Sequence, residues 1–136
     1  MKINIEDGLF AICKLGSADE LADLVREVPQ PCFTGFGNGS YSAFCLADHV
    51  PSNVAADPTW RLLRIDGRRD AAYLFVVGGI PVIMSGAGVP TFPLSTFDTD
   101  YIAVKRDGLS TAVDALRRSG HSIGGSPFAP RRLELT

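Results

Sequence analysis

The chain has 136 residues, of which 46% are hydrophobic, 9% aromatic and 21% charged. That length holds one domain or two very small ones, and that balance excludes a disordered chain. Thirteen lysines and arginines against fifteen aspartates and glutamates leave a net charge of -2, which lacks the positive footprint that phosphate backbones require, so nucleic acid is not an expected partner.

The cysteines, Cys13, Cys32 and Cys45, are odd in number, too widely spaced for a zinc pair and too sparse for a secreted disulfide scaffold. A reducing cytoplasm suits them. Near the start a single lysine, Lys2, is followed by Glu6 and Asp7, and the apolar stretch 9–13 is too short for the core of an export signal. The longest apolar run, 71–84, falls short of the roughly 20 residues a bilayer crossing needs and contains Gly78, Gly79 and Pro81. No membrane partner is expected.

In chain order, residues 9–14 read as a short buried strand ending at Gly16. Ser17 with Glu20 forms a capping box for a helix whose Leu21, Leu24, Val25 and Val28 share one face, and Pro29 and Pro31 stop it. Residues 32–36 and 41–46 form a β-hairpin around Asn38-Gly39. Residues 47–58, with Pro51, Asn53 and Pro58, read as a connection between halves.

Residues 60–65 then alternate as a strand, and 70–88 are long enough for a helix that Gly78-Gly79 and Pro81 are expected to break or kink. Two strands, 91–97 and 101–105, flank Asp98-Thr99-Asp100. Leu109, Ala112, Val113 and Leu116 mark a second helix closed by Arg117, Arg118 and Gly120, and 121–123 make a last strand.

The second half is therefore βαββαβ, the ferredoxin-like α+β order with two helices on one face of a four-stranded sheet. The first half reads as the same unit without its last helix and strand. The expected division is 1–58 for a degenerate first unit, 59–124 for a complete second one and 125–136 for a flexible tail.

The run 87–104, centred on Ser95-Thr96-Phe97-Asp98-Thr99-Asp100, closely resembles small ACT-domain proteins related to aspartokinase regulatory domains and CASTOR-type arginine sensors. Supporting matches are Trp60-Arg61-Leu62-Leu63-Arg64-Ile65, Phe44-Cys45-Leu46 leading to Val50-Pro51, and Phe10-Ala11-Ile12-Cys13. Together these span roughly residues 10–123. The resemblance implies tandem ACT-like units that bind free amino acids or act as allosteric regulatory modules, with no chemistry of their own. The chain departs from the pattern at Gly78-Gly79-Ile80-Pro81, where members carry a more continuous helix.

Two segments are candidate ligand contacts. Ser95, Thr96, Phe97, Asp98 and Asp100 set hydroxyls, a ring and carboxylates between two strands, and in the arginine-sensing relatives the position matching Asp100 looks like a ligand contact. A turn needs such polar residues anyway to cap its own amides. Asp66, Gly67 and Arg68 join a strand to a helix N-terminus, where unpaired amides and the helix dipole favour a carboxylate. ACT domains commonly hold effectors at this loop, although an exposed Arg68-Arg69 pair also suits plain solvated surface.

Gly35-Phe36-Gly37-Asn38-Gly39 lacks the helix and lysine of a phosphate loop. His49 and His121 are isolated, so no metal and no cofactor are expected. A nucleophilic cysteine with a histidine base is the weaker, enzymatic alternative, because nothing in the sequence brings the two together. The reading is a non-catalytic regulatory protein that binds a free amino acid or similar metabolite, expected as a homodimer because small open sheets leave edges to be covered. An oligomerisation module without ligand is the rival.

Overall fold

The structure, a computed structural model, describes residues 1–67 and 70–125. Its elements in chain order are β1 (Lys2–Ile5), β2 (Phe10–Leu15), α1 (Ala18–Glu27), β3 (Phe33–Gly37), β4 (Ser40–Leu46), a 3-10 turn (Ala47–His49) and β5 (Ala55–Asp66). Then follow α2 (Ala71–Gly86), β6 (Thr91–Ser95), β7 (Asp100–Lys105), a 3-10 turn (Arg106–Gly108), α3 (Leu109–Arg118) and β8 (Ser122–Gly124). Contacts group these into two units. An inserted unit runs from Gly8 to Trp60, and a flanking unit combines Met1–Asp7 with the chain from Arg61 onward.

In the inserted unit the strand order is β3-β4-β2-β5, all pairs antiparallel, with the first half of β5 as the fourth strand. The missing strand of the degenerate repeat is thus supplied, while the missing helix is replaced by the 3-10 turn and the irregular chain up to Val54. Asn38 and Gly39 take φ of 54° and 76°, the left-handed pair that a two-residue hairpin requires. Ser17 caps α1 by accepting from Glu20 N at 3.2 Å, and the Glu20 carboxylate accepts from Gly16 N at 3.0 Å. Leu24 buries into a core with Cys13, Leu15, Ala43 and Cys45, flanked by Leu21 and Val28. Val25, placed on that face by its spacing, is exposed instead.

Pro58 lies inside β5 and cannot donate to a neighbouring strand. Beside it the Asp57 carboxylate accepts from Thr59 N at 3.1 Å, from the Thr59 hydroxyl at 2.5 Å and from Trp60 Nε1 at 3.1 Å. Pairing with β2 shifts register at the same place, between Phe10 and Ile12.

In the flanking unit the order is β8-β1-β5-β7-β6. This is the ferredoxin-like order with one addition: β1 enters between the first and last strands of βαββαβ, antiparallel to β5 and parallel to β8. Ile3 and Ile5 alternate with Lys2 and Asn4 and point into the core. Helix α3 buries Leu109, Ala112, Val113, Ala115 and Leu116. Helix α2 is continuous through Gly78, Gly79 and Pro81 rather than broken. Burial of Tyr73, Ile80 and Met84 holds it, since each large apolar side chain taken fully from water contributes about 1.5–3 kcal/mol, enough to offset about 1 kcal/mol per glycine. The expected tail lies almost wholly outside the described residues.

Candidate functional site

In the flanking unit, β5 ends at Asp66 and turns through Gly67 towards α2, whose first turn is capped by Asp70 accepting from Tyr73 N at 2.9 Å. Gly67 is required by proximity, because a Cβ there would lie 2.6 Å from a Tyr73 ring carbon. The Tyr73 hydroxyl donates to Asp100 Oδ2 at 2.8 Å, and the Ser95 hydroxyl donates to Asp100 Oδ1 at 2.6 Å. Asp100 is only 9% exposed, so these donors satisfy a carboxylate that burial would otherwise penalise.

The structure therefore brings Gly67, Ser95 and Asp100 together around Tyr73, a residue that no spacing in the sequence singled out. Thr96 and Asp98 lie exposed in the β6–β7 turn, where Thr96 N donates to Thr99 O at 2.9 Å and Thr99 N to the Thr96 hydroxyl at 3.2 Å. Phe97 at the tip is 95% exposed. Arg68 lies outside the described residues.

Asp66 belongs to a polar network along β1 and β5. It accepts from Arg64 Nε at 3.0 Å and from Asn4, while Arg64 also donates to Glu6 at 2.8 Å. The hydrogen bond from Arg64 is the main cause that holds the Asp66 carboxyl below its ordinary range.

The inserted unit carries a groove of about 310 Å³. Its walls are the end of β2 (Leu15), helix α1 (Glu20, Asp23, Leu24, Glu27) and the chain that stands where a second helix would be (His49, Pro51, Asn53, Val54). Glu20, Asp23 and Glu27 fall at i, i+3 and i+7 and so share one helical face. The buried Nε2 of His49 has no hydrogen-bond partner among the described residues. Sequence reasoning missed this groove, although the acidic spacing on α1 was visible. Among the described residues no cluster of three or more His, Cys, Asp or Glu side chains is arranged to hold a metal ion.

Comparison with solved structures places the fold. A protein from Agobacterium tumefaciens is similar at TM-score 0.76 and 25% identity, covering 90% of each chain. A Vibrio cholerae protein of unknown function is similar at TM-score 0.69 and 14% identity, covering 86% of this chain and 88% of that one. The ligand-free regulatory subunit of aspartate kinase from Thermus thermophilus is similar at TM-score 0.65 and 11% identity, covering 87% of this chain and 97% of that subunit. No protein-family model and no curated protein matches the sequence. The chain has the ACT-like α+β fold of the aspartate kinase regulatory subunits.

Proposed function

We propose that this chain is a non-catalytic regulatory protein of the ACT type that binds a free amino acid bearing a cationic side chain. The observation that carries the reading is the groove on the inserted unit, where three carboxylates face the solvent from α1 and His49 lines the same space. Such a surface suits a zwitterion. Its ammonium or guanidinium group meets Glu27 and competes with Arg26 for Asp23, and its carboxylate lies towards the wall that His49 contributes. The regulatory subunits that share the fold support the regulatory part of the proposal. The Asp66–Gly67 corner is the second place where an effector would dock in a fold of this kind. Among the described residues no helix is long and apolar enough to cross a membrane.

A thermal-shift screen tests the proposal. A ligand that binds only the folded chain stabilises it by mass action, about 2.7 kcal/mol at a hundred times its Kd. Arginine or lysine is expected to raise Tm at millimolar concentration, norleucine is not, and Asp23→Asn with Glu27→Gln is expected to remove the shift. A chain that none of the twenty amino acids stabilises, yet which light scattering finds as a stable dimer, would instead be the oligomerisation module.

A further inference from the structure

The inserted unit holds all three cysteines, and none of them takes part in the proposed groove. Their placement follows from strand register. Strand β3 pairs with β4 through Phe33↔Phe44, so the residue before Phe33 and the residue after Phe44, Cys32 and Cys45, fall opposite each other. Strand β2 pairs with β4 through Ala11↔Cys45 and Cys13↔Ala43, which sets Cys13 one diagonal step away on the face that packs under α1. All three thiols are free. Cys45 is fully buried and Cys13 nearly so, whereas Cys32, just outside the ladder, is partly open to solvent.

The thiols of Cys32 and Cys45 act on each other, and the Cys45 thiol is pushed far up by this neighbour and by its burial. The neighbouring Cys45 thiol holds the Cys32 thiol below its ordinary range, and burial pushes Cys13 up. A thiolate, not a thiol, is the nucleophile, so one cysteine of the three is both reachable and activated, and the residue opposite it on β4 is itself a cysteine.

We infer that Cys32 and Cys45 form a peroxide-reactive pair, in which Cys32 is the attacking sulfur and Cys45 the resolving one. A hydroperoxide is the oxidant. The Cys32 thiolate attacks its terminal oxygen, the O–O bond breaks, and Cys32 becomes a sulfenic acid while the leaving oxygen takes a proton and departs as water or an alcohol. The Cys45 sulfur then attacks the Cys32 sulfur, the S–O bond breaks, and the hydroxyl leaves as water with the Cys45 proton. Each peroxide is reduced by two electrons and the two thiols are oxidised to one disulfide. Cys13 stands opposite Ala43 rather than opposite Cys32 and takes no part.

The test is oxidation of the full chain with hydrogen peroxide, followed by intact mass and peptide mapping. The expected product is a monomeric chain that has lost two hydrogen atoms and carries a Cys32–Cys45 link, formed equally in Cys13→Ser. Cys45→Ser is expected to stop at a sulfenic acid on Cys32 that dimedone traps, and Cys32→Ser to leave Cys45 unoxidised. The inference is overturned by a Cys13–Cys45 link, by a disulfide between chains, or by three thiols that survive peroxide as long as free cysteine does. The wild-type map decides the matter even if a serine variant fails to fold.

Discussion

Replacing Gly67 by alanine is a direct probe of the cluster around Tyr73. The new methyl would sit 2.6 and 2.8 Å from two ring carbons, where carbon atoms rest at about 3.5–4.0 Å, so the ring must retreat by about 1 Å. Tyr73 is 3% exposed within the main core and has little room to retreat into. The same movement stretches its 2.8 Å bond to Asp100 beyond hydrogen-bond range. Overpacking of a core costs about 1–3 kcal/mol, and a lost hydrogen bond to a buried charged group about 1.5–3 kcal/mol. Because one displacement causes both, the expected loss for Gly67→Ala is about 3 kcal/mol by urea denaturation followed by circular dichroism. Tyr73→Phe alone removes only the bond, so the double variant should cost less than the sum of the two singles. A Gly67→Ala chain within about 0.5 kcal/mol of wild type, or strict additivity in the double variant, would refute the reasoning.

Two further outcomes are expected. At Gly78 and Gly79 an added Cβ meets nothing within 4 Å, so Gly78→Ala and Gly79→Ala should each stabilise the chain by about 0.5–1 kcal/mol in the same denaturation assay, and a loss instead would mean that the bare backbone serves a contact. Burial, helped by the nearby terminal ammonium, lowers the His121 pKa from 6.5. Its stabilising contribution is therefore fully present above about 6.5 and declines as pH falls from there to the lower folded value, because the unfolded chain takes up a proton first. His121→Asn should flatten that part of the stability profile.

Much of the fold could be read from local pattern. The Ser17 cap, the Asn38-Gly39 turn and the α3 stripe are each decided by residues within one turn of one another. What could not be read depends on residues far apart. The continuity of α2 is settled by the core that receives Ile80 and Met84, not by the propensities of Gly78 and Pro81. The start of β5 was obscured by Pro58, whose missing donor argues locally against a paired strand. Strand β1 showed the alternation of Ile3 and Ile5 but is too short to be recognised without its partner at residues 63–66. At the candidate site, Ser95 and Asp100 were named from their motif. Tyr73, 27 residues before Asp100, was not, because only the packing of α2 brings its hydroxyl there.

The insertion of one unit within the sequence of the other fixes an order of events during synthesis. Residues 8–60 leave the ribosome as an uninterrupted block, whereas β1 must wait for residues 63–66 and 122–124 before it has either neighbour. Joining Ile5 to Leu63 across an unstructured segment of that length would cost roughly 3.5 kcal/mol of loop entropy. Wherever residues 8–60 have folded, the Phe10↔Trp60 pairing holds their two ends side by side, and the segment works as a clasp that removes most of that cost.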